Sequence, residues 1–231
     1  MRKIFVPLIA ALFPPSSLVA ADLPVKAPQS AYVSDAFSGP YLGINAGYGF
    51  NLGAFGIGPA SIQDLAGSSQ GFLGGIQAGY GQRVGQFLYL GVEGDLDGAA
   101  ITGTAGMPGL ITGISKNSWL TSVRARAGII LFNDLLAYGT VGWGWGGGEF
   151  SVSEVSTQLF KIDPTMSGFV WGGGFEHPFG GGFNIGLEYL QYDFGSFNNT
   201  MNVGTTESPT LLSFTQKDRV DAIRIRLNYK F

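Results

Sequence analysis

The chain has 231 residues, a formal net charge of -3 and no cysteine. Charged residues make up only 13% of it, whereas 38 residues are glycine, and this balance differs from that of an average soluble domain. The absence of cysteine excludes disulfides, thiolate metal sites and a cysteine nucleophile. Because the balance is acidic and no cluster of Lys or Arg occurs, nucleic acid is not expected as a partner.

The N-terminus has the three parts of a secretory signal peptide. Residues 2–3 are basic, residues 4–13 are apolar, and residues 18–21 form a small-residue cleavage zone. A spanning helix would need about 20 apolar residues, and Pro14 interrupts the run too early. We therefore predict a cleaved signal peptide over residues 1–21.

The rest of the chain divides into a short lead-in and one barrel. Residues 22–38 contain proline and polar residues without a core-forming pattern, which predicts a periplasmic lead-in. The barrel is predicted over residues 39–231, where apolar and polar or small residues alternate with the period of a strand. The alternating segments are 41–50, 71–81, 87–97, 118–131, 135–146, 166–176, 183–194 and 219–231.

The links between these segments alternate in length. The short links are 82–86, 132–134 and 177–182, and the long links are 51–70, 98–117, 147–165 and 195–218. Outer-membrane barrels have short periplasmic turns and longer extracellular loops, whereas a soluble sandwich gives no reason for this order. The pattern predicts an all-β, eight-stranded antiparallel up-and-down transmembrane β-barrel with both termini on the periplasmic side.

Aromatic residues of the apolar parity collect at the strand ends. One predicted girdle, towards the long links, contains Phe50, Phe72, Trp119, Trp143, Trp145, Phe169 and Trp171. The other contains Tyr80, Phe183, Tyr229 and Phe231. Two such girdles are typical of the two interfaces of a membrane.

Nine charged residues of the strands share the inward parity. They are Glu93, Asp95, Arg124, Arg126, Glu176, Glu188, Arg224, Arg226 and Lys230. A basic residue on the lipid side would cost about 2–4 kcal/mol at the midplane, whereas inward charges of opposite sign can pair. We predict a plug of salt bridges in the lumen, and a small polar pore or gate remains the alternative. Inward glycines such as Gly91 would give these side chains room or relieve curvature.

Several motifs resemble one known family. They include FSGPYLGINAGYGF at 37–50, GFLGGIQAGYGQ at 71–82, YLGVEGDLDG at 89–98, WGGGFEHPFGGGFNIGLEYLQYDFG at 171–195 and the final RIRLNYKF. The chain resembles the small outer-membrane barrels of alphaproteobacteria, which are OmpA-like transmembrane barrels and include major surface proteins and haemin-binding barrel proteins. The resemblance implies an eight-stranded barrel in the cell outer membrane with surface roles borne by loops. It carries over no catalytic set and no haemin binding.

The last strand ends with apolar and aromatic residues on one face. Leu227, Tyr229 and Phe231 resemble the signal by which the outer-membrane assembly machinery recognises barrel precursors. The same residues also fit a lipid-facing strand end, and the two roles are compatible.

No enzymatic constellation is expected. The sole histidine, His177, lies beside a proline at a predicted turn and has no orienting partner nearby in the sequence. The glycine-rich run at 142–150 lacks the lysine of a nucleotide site. We predict no catalytic, cofactor-binding or metal-binding residues.

The function predicted from the sequence is that of a structural, surface-exposed outer-membrane protein. Its expected partners are outer-membrane lipid and the assembly machinery, with host molecules, other cells or haem as ligands that the long loops could bind. The alternative is a narrow porin-like channel for small solutes.

Overall fold

The computed structural model describes residues 36–51, 55–57, 69–107, 111–154, 157–163, 165–202 and 211–231. The elements are β1 (Gly39–Asn51), β2 (Phe55–Ile57), β3 (Ser69–Val84), β4 (Leu88–Met107), β5 (Ile111–Leu131), a 3-10 helix (Phe132–Asp134), β6 (Leu135–Glu154), β7 (Thr157–Ile162), β8 (Thr165–Gly180), β9 (Phe183–Asn202) and β10 (Leu211–Lys230). The predicted signal peptide and residues 22–35 of the predicted lead-in lie outside the described residues. No helix in the described ranges is long and apolar enough to cross a membrane.

Eight of the strands form a closed antiparallel barrel, which confirms the predicted fold. The order around the barrel is β1-β3-β4-β5-β6-β8-β9-β10, so that each of these strands pairs with its neighbours along the chain. β1 also pairs with β10, from Tyr41 opposite Lys230 to Phe50 opposite Asp221. This last pairing closes the sheet and removes the open edges that an eight-stranded sheet would otherwise present.

One end of the barrel carries three tight chain reversals, at residues 85–87, 132–134 and 181–182, and we call it the short-turn end. The third reversal needs glycine, because Gly182 has a φ of 82°, in the left-handed region. β1 begins and β10 ends at this same end, where the Phe231 amide donates to the Pro40 carbonyl at 3.2 Å.

At the opposite end, which we call the ribbon end, strands continue where loops were predicted. β4 and β5 pair as far as Met107 opposite Ile111, and β9 and β10 as far as Asn202 opposite Leu211. β7 extends this arrangement beside β6, and β2 does so beside β10. In this region the outward positions are no longer regularly apolar. Antiparallel pairing nevertheless continues, because it satisfies the hydrogen bonds of the backbone amides. The prediction of loops was therefore wrong for much of the described parts of 98–117, 147–165 and 195–218.

The apolar parity faces outward. Ile44, Val92 and Ile225 keep 58%, 58% and 59% of their surface exposed, whereas Gln77 and Arg226 of the other parity are buried. A soluble sandwich would bury the apolar side chains and expose the charged ones. The observed arrangement is the reverse, and it is the arrangement of a barrel surrounded by lipid.

Candidate functional site

The middle of the barrel interior is filled by charged side chains that we call the ionic layer. None of them is more than 5% exposed. It consists of Glu93, Asp95, Asp97, Arg124, Arg126, Glu176, Glu188, Arg224 and Arg226. Where one strand contributes several of these residues, they are separated by two or four positions. Side chains at such spacings lie on the same face of a strand, and here that face points into the barrel.

Some ion pairs join neighbouring strands. Glu93 on β4 lies opposite Arg124 on β5, and the Arg124 Nη2 donates to Glu93 Oε1 at 2.6 Å. Arg224 on β10 lies opposite Glu188 on β9, and its Nε donates to Glu188 Oε2 at 2.8 Å. These pairs follow directly from the register of the sheet.

Other ion pairs cross the lumen between strands that are not neighbours. Arg124 Nη1 on β5 donates to Glu188 Oε1 on β9 at 3.1 Å, and Arg224 Nη2 on β10 donates to Asp95 Oδ2 on β4 at 2.6 Å. Arg226 on β10 also donates to Glu93 on β4. The cross-lumen pairs occupy the centre of the barrel and tie its opposite walls together.

Glu188 accepts more hydrogen bonds than register alone provides. Besides Arg124 and Arg224, Arg226 Nη1 donates to its Oε1 at 2.7 Å, and the Tyr138 hydroxyl donates at 2.9 Å. Full satisfaction of the lone pairs is what a buried carboxylate requires, since desolvation of an ion in a protein interior costs several kcal/mol.

Tyrosines cover the ionic layer on the short-turn side. The guanidinium carbon of Arg126 lies 3.9 Å from the ring centroid of Tyr138 and 5.5 Å from that of Tyr89. The Tyr41 hydroxyl donates to Glu93 Oε2 at 2.6 Å. The positive charge of Arg126 is thus shared between carboxylates and aromatic faces.

The structure brings together eight of the nine charged residues predicted for the lumen. Lys230, the ninth, lies half-buried at the short-turn end, beside Glu176 and Asn184 around a cavity of about 10 Å³. Sequence reasoning missed Asp97, which accepts from Arg224 Nη1 at 2.6 Å. Its position two residues after Asp95 was the available signal, since it shares the inward parity. With Asp97 included, five acidic and five basic residues line the lumen in the part of the chain that the structure describes.

Apolar side chains seal the ionic layer on both sides. Towards the ribbon end, the interior holds a buried cluster of Leu73, Ile101, Leu120, Met166, Val170, Leu190, Tyr192, Phe194, Val220 and Ala222. Towards the short-turn end, the cluster is Phe37, Tyr89, Ile130, Leu136 and Tyr138. The ion pairs therefore lie in an interior shielded from bulk solvent, where both their attraction and the cost of breaking them are larger than at the surface.

The end of the predicted lead-in contributes to this seal. Phe37 is 5% exposed and packs edge-on against Tyr89, with ring centroids 6.3 Å apart. The Asn184 side chain donates to the Ala36 carbonyl at 3.0 Å, and the Arg83 amide donates to the Ser38 hydroxyl at 2.8 Å. We call residues 36–38 the N-terminal lid, because they fold into the short-turn mouth of the barrel.

Inward glycines make room for the large side chains. A Cβ atom on Gly91 would lie 2.8 Å from the Tyr89 hydroxyl and 2.9 Å from the Tyr80 carbonyl, whereas on the outward Gly94 the nearest atom would be 3.6 Å away. We expect Gly91→Ala to lower the free energy of unfolding by about 1–3 kcal/mol, the usual cost of overpacking. Gly94→Ala, three residues away, serves as the control in the same urea titration and should stay close to wild type. Equal losses for the two variants would contradict the role in making room.

A metal-binding cluster and an inward-facing histidine are both absent from the described residues. No group of three or more His, Cys, Asp or Glu side chains there is arranged to hold a metal ion. His177, on the outward parity of β8, has an exposed side chain.

Comparison with known proteins agrees with this geometry. A family model described as outer membrane protein beta-barrel domain matches residues 18–231. The chain is 32% identical over 248 residues to a "31 kDa outer-membrane immunogenic protein" of Brucella melitensis biotype 1, and equally to that of Brucella suis biovar 1, with the full length of both chains covered. The crystal structure of the outer membrane protein OprG from Pseudomonas aeruginosa has the same fold, with a TM-score of 0.55, 10% identity, and coverage of 84% of this chain and 97% of OprG.

Proposed function

Because this chain belongs to the outer membrane protein β-barrel family, and so lies in the cell outer membrane, we propose that it is a non-conducting barrel that presents its ribbon end for interactions at the cell surface. The observation that carries the proposal is the ionic layer. Four arginines and five carboxylates, all buried, occupy the lumen between two apolar clusters. Such an interior supports a structural and surface role more than a solute channel or an enzyme.

Planar-bilayer recording of the refolded protein tests the closed lumen. We expect no steady single-channel current, and a steady, ion-selective current would instead support the narrow porin-like channel. A double variant, Arg224→Ser with Glu188→Ser, removes one charge of each sign and should open a measurable leak. Leu187→Ala with Ile223→Ala changes the outward faces of the same two strands and should stay silent. A shift in gel mobility on boiling confirms for each protein that a closed barrel was formed.

The ribbon end is proposed to be the extracellular end, since outer-membrane barrels keep their short turns in the periplasm. The name of the Brucella relatives, outer-membrane immunogenic protein, supports accessible surface parts in this family. An epitope tag inserted at Asp163, between β7 and β8, should be detected on intact cells, and one inserted after Gly85 only after permeabilisation. Host molecules, other cells and haem are the ligand classes that we propose for the ribbon end.

The C-terminal strand is proposed to carry the recognition signal for the assembly machinery. Phe231 is 71% exposed, and its ring lies 5.3 Å from that of Tyr229 on the outward face, which Leu227 shares. We expect deletion of Phe231 to lower the amount of folded protein in the outer membrane several-fold. Phe231→Ala keeps the backbone hydrogen bond to Pro40, so its effect on the amount of folded protein measures the contribution of the ring alone. Phe231→Tyr keeps an aromatic ring and should assemble to the wild-type level. Unchanged levels after deletion would remove the assembly role.

A further inference from the structure

Each of the three chain reversals at the short-turn end has an exposed phenylalanine in the turn or, for Phe179, at the end of the strand before it. Phe87, Phe132 and Phe179 keep 66%, 92% and 59% of their surface exposed, and the C-terminal Phe231 keeps 71%. Scattered apolar residues are normal on a protein surface, but a repeated aromatic at every turn of one end marks an interaction surface.

This surface is continuous with the outward apolar belt. The rings of Phe179 and Phe183 lie 5.9 Å apart, those of Phe183 and Tyr229 lie 4.9 Å apart, and those of Tyr229 and Phe231 lie 5.3 Å apart. A continuous series of ring contacts thus connects Phe179, next to the third turn, to the lipid-facing side of β9 and β10.

The turns themselves contain few charged residues. Residues 84–88, 131–135 and 179–183 contain a single charged residue, Asp134. The Arg83 guanidinium, which lies beside the first turn, donates to the Gln86 carbonyl at 2.6 Å. In water, the exposed rings of Phe132 and Phe179 would be hydrated at an unfavourable free energy.

The two ends of the barrel differ in their tryptophans, although exposed phenylalanines such as Phe72 also lie near the ribbon end. All four tryptophans, Trp119, Trp143, Trp145 and Trp171, belong to the half of the barrel nearer the ribbon end. Tryptophan has an N–H group and prefers the polar interface of a membrane, whereas phenylalanine has no polar atom. The phenylalanines at the turn tips therefore fit an apolar environment better than an aqueous one.

We propose that the short-turn end is a lipid-binding surface, in which Phe87, Phe132, Phe179 and Phe231 insert among the acyl chains just beneath the phosphate groups of a phospholipid leaflet. The rings then enter the leaflet, while the turn backbones and the charged side chains of Arg83 and Asp134 lie at the level of the headgroups and do not project far into the periplasm. This inference goes beyond the proposed function, and it holds whether or not the lumen conducts.

Site-directed fluorescence in phospholipid vesicles tests the depth of the turns, and the cysteine-free chain allows single labels. The labelled variants are Phe132→Cys at a turn tip and Gln86→Cys, which leaves all four phenylalanines in place. Val92→Cys marks the lipid-facing belt, and Thr104→Cys marks the ribbon end. We expect the labels at 86 and 132 to be quenched by lipids brominated near the headgroup and to be several-fold less sensitive to aqueous iodide than the label at 104.

Iodide quenching at positions 86 and 132 equal to that at 104 would overturn the proposal and indicate a surface for a water-soluble partner. A second measurement tests whether the phenylalanine rings determine how deeply the turns lie in the membrane. In the triple variant Phe87→Asn, Phe132→Asn, Phe179→Asn, the label at 86 should become accessible to iodide while the mobility shift of the closed barrel persists. An unchanged label in that variant would show that the phenylalanines do not set the depth.

Discussion

Replacing Glu188 by Gln is expected to lower the free energy of unfolding by about 3–5 kcal/mol, the usual cost of breaking a buried ion pair from one side. Glu188 accepts from Arg124, Arg224 and Arg226, and also from the Tyr138 hydroxyl. A neutral amide leaves three buried guanidinium groups short of one counter-charge, and it presents an N–H₂ donor where the network supplies only donors. Urea titration of the refolded barrel, followed by its gel mobility, measures the loss.

The matched control is Asp163→Asn, which removes one carboxylate from an exposed position and should change stability by less than about 0.5 kcal/mol. A loss below about 1 kcal/mol for Glu188→Gln would show that Arg124, Arg224 and Arg226 tolerate the loss of the carboxylate that they share. In that case water must reach the arginines, and the closed lumen of the proposed function would lose its main support.

The barrel itself was predictable because lipid imposes a strict period of two. Each crossing strand must place apolar side chains such as Ile44 or Ile225 outward, so that parity alone sorts the residues. The same constraint placed Glu93 and Arg124 on one side of the sheet. Partner choice in the ionic layer was not predictable, since Arg124 reaches Glu188 across the lumen, and that contact depends on the curvature and stagger of the closed sheet.

The incorrect predictions of loops occurred where the alternation of apolar and polar residues becomes weaker. Beyond Leu96, the outward positions of β4 include small and polar residues such as Gly98, Thr102 and Thr104, so the segment has the composition of a loop although its backbone pairs with β5. A shift in register between Asn117 and Trp119 interrupts the inward–outward alternation of β5 at this height. Backbone hydrogen bonds hold the extended ribbons, and they leave little trace in side-chain type.

Placement of the ion pairs between two apolar clusters explains how a barrel this narrow can hold so many charges. Without the apolar clusters, the charged residues at the two edges of the ionic layer would be in contact with water. Ion pairs that are exposed to water contribute little to stability. Ile101 and Leu190 exclude water on the ribbon side, and Tyr89 and Phe37 do so on the short-turn side. The lumen thus resembles the core of a folded domain whose central contacts happen to be ionic, and stability and closure depend on the same residues.

Replacing Phe37 by Ala is therefore expected to lower the free energy of unfolding by about 3 kcal/mol, the cost of truncating a buried phenylalanine. The ring packs on Tyr89, and Tyr89 in turn lies against the guanidinium of Arg126, so that loss of the ring also admits water to the edge of the ionic layer. Phe37→Leu keeps the apolar volume in large part and should cost only about 1 kcal/mol in the same urea titration. Wild-type stability of Phe37→Ala would mean that the N-terminal lid rests on a mouth already sealed by Ile130 and Leu136. A loss of about 3 kcal/mol in Phe37→Ala would instead show that residues 36–38, which precede the first strand, are part of the core of the barrel.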